Sequence, residues 1–467
     1  MTIPALVASK VGSAERPLRV AVVGSGPAGF YAAEWLFREK QLHVEVDLFE
    51  RLPAPFGLVR YGVAPDHQRI KRVELAFERT AAHAGFRLLG NVEVARDVTP
   101  AELSEHYDQV LYTYGSATDR RLDIPGEDLA GSEPATAFVG WYNAHPDFYE
   151  RSFDLSSERA VVVGMGNVAM DVARILARRV EELATTDMPE YALQALRASR
   201  IREVVLLGRR GPAQAAFDQH ELEDIATLED VSLSVHDPDS LFDVDVAELS
   251  PAAKRNVTYL KLLAERPLQV RARHVVLRFL ASPVELIGDG GRVSAVKIEK
   301  NALKRRGDGS YGAHGTGQYE TLPSGLVLRS IGYHGVPLGD LPFASQHGII
   351  PNVGGRVTQD TGGAVLPFVY VAGWIKRGPT GLIGTNKDDA KHTVEHMLAD
   401  LPQLPAQKPA RGAIDTLLGA RGVRVVSYDD FRKLDALEVG AGKAHGKVRE
   451  KFCSVAAMLE ALAREPP

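Results

Sequence analysis

The pattern of apolar and polar positions repeats one arrangement twice along the chain. Between residues 18 and 49, a short β-branched run is followed by glycines, a stretch of helical periodicity and a second apolar run. The same order returns between residues 160 and 207. A strand, a glycine turn, a helix and a second strand form a βαβ unit. The pattern therefore predicts an α/β fold with two Rossmann-like dinucleotide-binding domains.

The segments that follow these units carry weaker patterns. A charged amphipathic helix is predicted near residues 69–84, and strands are predicted around a turn within 274–299. Residues 307–316 are rich in glycine and predict a surface hairpin tip. A strand at 326–330 and a glycine-rich turn within 366–385, followed by a helix, precede a charged C-terminal stretch.

The composition narrows the class of protein. A chain of 467 residues corresponds to about two to four domains, and 45% hydrophobic with 25% charged residues is ordinary for a globular protein. A formal net charge of -5 argues against a nucleic-acid partner. The sequence contains no apolar run of about 18 residues, so no membrane-spanning helix is predicted. The first 16 residues lack the apolar core of a secretory signal and predict a loosely ordered extension.

The single cysteine, Cys453, limits the redox chemistry of the chain. Neither a disulfide framework nor a CxxC pair can form within one chain, so a disulfide reductase is excluded and a reducing, cytoplasmic compartment is expected. An iron–sulfur cluster needs several cysteine ligands, so any such cluster must belong to a partner. No metal site is predicted.

The first glycine turn has the composition of a dinucleotide site. Its motif is GxGxxG between a strand and a helix, formed by Gly24, Gly26, Pro27, Ala28 and Gly29. The first glycine allows the tight turn, the second admits a pyrophosphate and the third lets the helix pack on the strand. Glu50 ends the next strand, where a carboxylate accepts hydrogen bonds from ribose hydroxyls.

The second glycine turn carries the variant GxGxxA, formed by Gly164, Gly166, Asn167, Val168 and Ala169. Its next strand ends in Arg209 and Arg210, where a site for NAD would place a carboxylate. Two guanidinium groups suit a 2′-phosphate and indicate NADP(H). The wide spacing indicates an insertion at residues 182–201. The alternative is a solvated arginine pair at a strand end.

With these motifs located, the chain resembles an adrenodoxin reductase-type ferredoxin–NADP(+) reductase, a glutathione reductase-like two-dinucleotide flavoprotein. The resemblance covers about residues 18–465 and rests on long motifs. These are PFGLVRYGVAPDH at 55–67, GMGNVAMD at 164–171, GRRGPAQ at 208–214, RSIGY at 329–333 and GWIKRGPTGLIG at 373–384.

The resemblance implies FAD in the first site and NADP(H) in the second. Besides the residues of the two motifs, it assigns Glu221 to the nicotinamide ribose end of NADP. It places Leu58, Trp374, Gly381, Leu382 and Ile383 at FAD, with Gly381 also facing NADP. The catalytic residues it implies are His67, Asp224, Trp374 and Gly381, the first two as a proton relay. The alternatives are a core tryptophan at 374 and a structural histidine at 67.

The implied architecture is a discontinuous FAD domain, residues 1–116 and 326–467, with an NADP domain, residues 117–325, inserted between its parts. Hydride would pass between NADPH and FAD, and single electrons would then pass to a ferredoxin-type iron–sulfur protein that feeds an oxygenase such as a cytochrome P450. A monomer suffices for this function. Because such ferredoxins are acidic, a basic dock is expected, and the candidates are Lys254, Arg255, Lys261, Arg266, Arg271 and Arg273.

Other functions stay open. An NADPH-dependent diaphorase or monooxygenase would use another acceptor, and residues 138–146 are similar to a monooxygenase signature without its Trp-Pro. A redox sensor would bind FAD without turnover. A reductase subunit of a larger complex, as in glutamate synthase, usually carries cluster ligands that this chain lacks.

Overall fold

The computed structural model describes residues 11–242, 244, 246–247, 249–405 and 408–464. The first ten residues of the predicted N-terminal extension therefore lie outside the described residues. Its last residues are held in place, because Nη1 of Arg16 donates to Oδ2 of Asp108 at 2.9 Å.

Both halves of the chain contain β-strands. In chain order they are β1 (Leu18–Val23), β2 (Val44–Glu50), β3 (Phe86–Gly90), β4 (Gln109–Tyr112), β5 (Thr118–Asp119), β6 (Ser132–Pro134), β7 (Arg159–Val163), β8 (Glu203–Leu207), β9 (Val231–Val235), β10 (Arg273–Arg278), β11 (Ala281–Asp289), β12 (Arg292–Arg305), β13 (Tyr311–Pro323), β14 (Leu326–Arg329), β15 (Tyr333–His334), β16 (Asn352–Val353), β17 (Arg356–Thr358) and β18 (Val365–Val371).

Helices connect and cover the strands. They are α1 (Pro27–Phe37), α2 (Leu58–Tyr61), α3 (Gln68–Lys71), α4 (Glu74–Ala81), α5 (Pro100–His106), α6 (Ala135–Tyr142), α7 (Asn167–Ala177), α8 (Val180–Leu183), α9 (Glu190–Arg197), α10 (Gln219–Ala226), α11 (Asp239–Phe242), α12 (Pro251–Ala264), α13 (Trp374–Arg377), α14 (Thr385–Ala399), α15 (Ala413–Ala420), α16 (Tyr428–Ala444) and α17 (Val455–Arg464). The single helix predicted near 69–84 is two helices, because the chain turns between α3 and α4.

The first sheet contains strands from both the N-terminal and the C-terminal part of the chain. Among the described residues its order is β16-β17-β18-β4-β1-β2-β3, with β1 to β4 and β18 parallel. The central strands are almost wholly buried, as expected for parallel strands covered by helices on both faces. Strand β18 comes from the C-terminal part, so this domain is discontinuous.

The second sheet holds the other βαβ unit. Its order in the described residues is β6-β14-β7-β8-β10-β9, and its paired strands are parallel. Strand β14 was assigned to the first domain in the sequence-based boundaries, but it pairs with β6 and β7. The return to the first domain therefore follows Arg329 rather than residue 325, because the register of β14 with β7 buries its apolar side chains in this sheet.

A three-stranded antiparallel meander, β11-β12-β13, extends from the second sheet. The hairpin between β12 and β13 turns at residues 306–310, so part of the predicted tip at 307–316 is strand. Its length carries the turn beyond the core, where most side chains are exposed.

A buried ion cluster joins the second domain to the C-terminal segment. Asp187, in the insertion after α8, accepts from Nζ of Lys71 at 2.7 Å and lies 2.8 Å from Nζ of Lys451. The backbone N–H of Val448 also donates to the carbonyl of Thr185 at 3.2 Å. The insertion thus binds both parts of the first domain and fixes the two domains against each other.

Among the described residues, no helix combines the length and apolar character that a membrane span requires.

Candidate active site

The first glycine turn, between β1 and α1, has little room for side chains at two of its glycines. Gly24 has φ +107°, and a β-carbon there would lie 2.6 Å from Cα of Tyr114. A β-carbon on Gly29 would lie 2.3 Å from the carbonyl oxygen of Gly24. At Gly26, just before the helix, a β-carbon would meet nothing within 4 Å. The turn therefore presents an open backbone and the helix N-terminus to a phosphate group.

Glu50, at the end of β2, lies beside this turn. Its Oε2 accepts from Oγ of Ser25 at 2.6 Å and from the backbone N–H of Ser25 at 3.2 Å. Its Oε1 accepts from the backbone N–H of Leu52 at 3.0 Å. These bonds hold the carboxylate in place and leave further lone pairs for ribose hydroxyls.

The second glycine turn, between β7 and α7, repeats this geometry. Gly164 has φ +142°, and a β-carbon there would lie 2.1 Å from the carbonyl oxygen of Ser330. Gly166 precedes the helix and faces open space. Ala169 takes the third place with its methyl group fully buried. The side chain of Asn167 is held by Asp218, whose backbone N–H donates to its Oδ1 at 2.8 Å.

The strand ends of the two units carry opposite charge. Arg209 and Arg210 follow β8 and are exposed. Within the described residues, neither side chain makes an ion pair or a hydrogen bond. Burial and the neighbouring charge of Arg209 lower the pKa of Arg210 below its ordinary value. Unpaired, closely spaced guanidinium groups of this kind suit a bound anion.

His67, just before α3, faces the second domain. Its Nε2 lies 3.2 Å from Oδ2 of Asp224 on α10, and its Nδ1 lies 3.6 Å from Oδ1 of Asp171 on α7. The histidine side chain is 14% exposed, whereas that of Asp224 is 50% exposed. The structure thus brings together the predicted pair His67 and Asp224.

A buried guanidinium organises the carboxylates next to His67. Arg174 donates to both oxygens of Asp66 at 2.8 and 3.0 Å, to Asp171 at 2.7 Å and to Glu221 at 3.0 Å. Although burial opposes ionisation of Asp66, its bonds to Arg174 hold its pKa well below the ordinary range. Atoms of His67, Asp171 and Glu221 lie within 4.8 Å of one another, but Arg174 already supplies the positive charge there.

Two of these carboxyl groups retain protons more strongly than usual. Burial, and next the charge of Asp171, raise the pKa of Glu221 to about 8. Burial also raises the pKa of Asp171. Three carboxyl groups surround Arg174, so the negative charges of Asp171 and Glu221 repel each other, which favours binding of a proton to one of them.

The segment around α13 brings the C-terminal part of the chain to the first glycine turn. A β-carbon on Gly373 would lie 2.7 Å from Cβ of Ala28, so the two backbones approach closely. The ring of Trp374 packs on Tyr333 with centroids 5.2 Å apart. Its indole Nε1 is buried and has no hydrogen-bond partner within the described part of the chain.

The glycine-rich turn after α13 is open to solvent. Gly381 has φ +79°, and a β-carbon there would lie 2.7 Å from Oγ1 of Thr385. Leu382 is 57% exposed, while Ile383 packs on the core of the first domain. Helix α14 begins at Thr385, at the end of the glycine-rich turn predicted within 366–385. Leu58, on α2, is also exposed.

Known proteins share this arrangement over the whole chain. The family described as pyridine nucleotide-disulphide oxidoreductase matches residues 18–226. The NADPH-ferredoxin reductase FprA of Mycobacterium tuberculosis is 46% identical over 458 residues, which cover 95% of this chain and 99% of that protein. The human mitochondrial NADPH:adrenodoxin oxidoreductase is 44% identical over 463 residues, covering 96% and 92%. The structure of Mycobacterium tuberculosis FprA in complex with NADPH superposes with a TM-score of 0.92 at 45% identity, over 96% of this chain and 100% of that chain.

The chain belongs to the family of FprA and adrenodoxin oxidoreductase. The family resemblance and the two-domain α/β fold predicted from the motifs are both confirmed.

The sequence did not reveal several residues that lie between the two domains. Asp66, Asp171 and Arg174 belong to matched motifs or neighbour them, yet no role was assigned to them. Asp171, Arg174 and Arg178 stand three and four residues apart, which places them on one face of α7. That spacing was the available signal, but only the fold brings Asp66 of the other domain to the same face.

The candidate basic dock is smaller than the sequence suggested. Nη1 of Arg273 donates to the carbonyls of Ala177 and Arg178, and Nη1 of Arg271 donates to those of Leu228 and Val231. Lys261 donates to the carbonyl of Val244 at 3.1 Å. The exposed members are Lys254, Arg255 and Arg266, on and just after α12.

Proposed function

We propose that the chain is an FAD-dependent ferredoxin–NADP(+) reductase, which moves electrons between NADPH and a ferredoxin-type iron–sulfur protein. The observation that carries this is the pair of matched glycine turns with opposite charge at their strand ends. Relatives named NADPH-ferredoxin reductase and NADPH:adrenodoxin oxidoreductase support it over nearly the full chain.

The residues of the first turn fit FAD. Open space at Gly26 admits the pyrophosphate to the N-terminus of α1. The carboxylate of Glu50 accepts hydrogen bonds that the ribose hydroxyls donate. The unpartnered indole N–H of Trp374 needs an acceptor, because a buried donor left unpaired costs about 1–3 kcal/mol. When bound, FAD accepts two electrons from NADPH and releases them one at a time. Leu58, Gly381, Leu382 and Ile383 complete this site.

The residues of the second turn fit NADP(H). The backbone at Gly166 and the α7 N-terminus face the pyrophosphate, together with Asn167 and Val168, while the arginine pair binds the 2′-phosphate. Glu221 lies at the nicotinamide end, where burial and the charge of Asp171 raise its pKa to about 8. A neutral carboxyl group there donates a hydrogen bond without adding negative charge next to the substrate.

His67 provides a path for protons at the domain boundary. One ring nitrogen faces Asp224, which is half exposed, and the other faces buried Asp171. An imidazole in this position exchanges a proton with solvent on one side and with the buried carboxyl groups on the other. The short side chain of Asp224 reaches the ring, with Oδ2 lying 3.2 Å from Nε2.

The ferredoxin docks on α12 through Lys254, Arg255 and Arg266. Exposed cations attract an acidic partner and speed its encounter, and salt weakens this attraction. The lone Cys453 suits a reducing compartment, and we place the protein in the cytoplasm as a monomer.

The test is NADPH-driven cytochrome c reduction by the flavin-loaded protein, with and without an acidic ferredoxin, at low and high salt. We expect a large ferredoxin-dependent rate that falls with salt. It should also fall in Lys254→Gln/Arg255→Gln, whereas Lys443→Gln, at an exposed site on α16, should match the wild type. Rapid flavin reduction with no gain from ferredoxin would contradict the proposal and favour a diaphorase or monooxygenase.

A further inference from the structure

The β12–β13 hairpin reaches back to the end of β8, where the arginine pair lies. A cavity of about 260 Å³ opens between them. Its lining includes Arg209, Arg210, Ser282, Glu299, Asn301 and Arg306. A third guanidinium group, from Arg306 at the hairpin turn, therefore faces the same space as the arginine pair.

The hairpin turn holds Arg306 over this cavity. Its backbone N–H donates to the carbonyl of Ser310 at 2.7 Å, which closes the turn. Its side chain lies across Gly312, where a β-carbon would come within 2.8 Å of Nε. The guanidinium makes no ion pair or hydrogen bond with any described residue. The position of Arg306 is thus set by the hairpin, while its exposed guanidinium has no partner among the described residues.

The wall of the cavity that carries the arginine pair is hydrogen-bonded to β12, the first strand of the hairpin. Nδ2 of Asn301, on β12, donates to the carbonyl of Arg209 at 2.8 Å and to Oγ of Ser282 at 2.7 Å. The backbone of the arginine pair is therefore anchored to the hairpin that carries Arg306. All three guanidinium groups that face the cavity are therefore carried by segments that are hydrogen-bonded to each other.

The charge balance of the cavity calls for an anion. The lining has three guanidinium groups against one carboxylate, that of Glu299, which accepts the backbone N–H of Gly317 at 2.9 Å. Burial, and next the charges of Arg209 and Arg306, lower the pKa of Arg210. Like charges gathered without counter-ions cost free energy unless a multiply charged ligand pairs with them. A phosphate monoester has three acceptor oxygens for such forked donors.

We propose that Arg306 is a third binding residue for the 2′-phosphate of NADPH and that the β12–β13 hairpin closes this site. The inference rests on the proposed NADPH-dependent function. It makes Arg306 a determinant of NADPH over NADH that lies far along the chain from the glycine motif and the arginine pair.

The test is binding of adenosine 2′,5′-bisphosphate to the flavin-loaded protein by isothermal titration calorimetry, with 5′-AMP as the ligand that lacks the 2′-phosphate. Arg306→Gln should weaken bisphosphate binding about tenfold to a hundredfold, the usual effect of losing a hydrogen bond to a charged group. Its affinity for 5′-AMP should not change.

The matched control is Arg305→Gln, an exposed neighbour on the same hairpin that does not line the cavity. Equal bisphosphate affinity in Arg306→Gln, Arg305→Gln and the wild type would overturn the role of Arg306 alone. A wild type that binds the bisphosphate no better than 5′-AMP would overturn the 2′-phosphate site itself, and with it the NADPH function.

Discussion

The two glycine turns of this protein are built alike but end in opposite charge. Gly24 and Gly164 both have positive φ and leave no room for a β-carbon, while Gly26 and Gly166 both face open space. After the next strand, the first unit presents a hydrogen-bonded carboxylate and the second presents unpaired guanidinium groups. From this comparison we infer that the turn provides a place for a dinucleotide pyrophosphate, and we propose that the strand end selects which dinucleotide binds.

The third position of each turn shows a second difference. A methyl group at Gly29 would lie 2.3 Å from a backbone oxygen, whereas the methyl group of Ala169 is accommodated and fully buried. The two sites therefore share a motif but differ in the room that the third position leaves for a side chain.

The largest expected effect comes from removing the charge that distinguishes the second site. Arg209→Gln/Arg210→Gln should lower kcat/KM for NADPH at least about a hundredfold, because charged hydrogen bonds contribute about 1.5–3 kcal/mol each and two are lost. The value for NADH should change little. Steady-state kinetics with both nucleotides measure this, with Arg200→Gln, an exposed residue of the same domain, as the control. An equal loss for both nucleotides would contradict selection by the strand end.

Exchanging the residues at the third position should separate the two turns. Gly29→Ala should destabilise the protein by about 1–3 kcal/mol, because the added methyl group meets backbone that cannot yield. It should also lower the FAD content of the purified protein. Ala169→Gly should cost about 1 kcal/mol, the ordinary helix penalty of glycine. Urea unfolding and the flavin-to-protein absorbance ratio measure both, and equal losses would show that the two third positions leave equal room for a side chain.

Neutralising the carboxylate of the first site should weaken FAD binding. Glu50→Gln loses a charged acceptor for Ser25 and for the ribose, and an affinity loss of about 1–2 kcal/mol is expected. Titration of the apoprotein with FAD, followed by flavin fluorescence, gives this value. Glu45→Gln, on the same strand, is the control. Unchanged FAD affinity in Glu50→Gln would remove this residue from the site.

The last expected effect is a pH dependence of stability, and it concerns the cluster between the two sites. The pKa of Glu221 is raised from 4.5 to about 8, so in this pH window the folded protein holds a proton that the unfolded chain releases. The free energy of unfolding should therefore fall as pH rises through the window. In Glu221→Gln, where the group is always neutral, this fall should be smaller. Urea unfolding at several pH values tests it, with exposed Glu229→Gln as the control. Parallel pH profiles for Glu221→Gln and the wild type would contradict the shift.

The sequence predicted most of the architecture because glycine turns and buried strands have local signatures. Strand β8 was predicted with its observed bounds, and both turns and their strand-end residues were located. Strand β14 was placed in the wrong domain because an apolar run does not reveal which sheet it joins. The break between α3 and α4 has no proline or glycine to mark it.

The interdomain contacts depend on the fold and could not be derived from local patterns. His67 and Asp224 were paired only through the family resemblance, since they lie 157 residues apart. The network around Arg174 draws its carboxylates from three separate segments. Arg271 and Arg273 were expected to be free for docking, but backbone carbonyls of neighbouring segments take their donors.

The most direct test mixes the FAD-loaded protein anaerobically with NADPH or with NADH and follows the visible absorbance of the flavin in a stopped-flow instrument. If the first turn binds FAD and the arginine-bearing second site selects NADPH, NADPH at low concentration should reduce the flavin much faster than the same concentration of NADH. Equal rates with the two nucleotides, or no reduction by NADPH, would contradict the claim that the first site binds FAD and the second site selects NADPH.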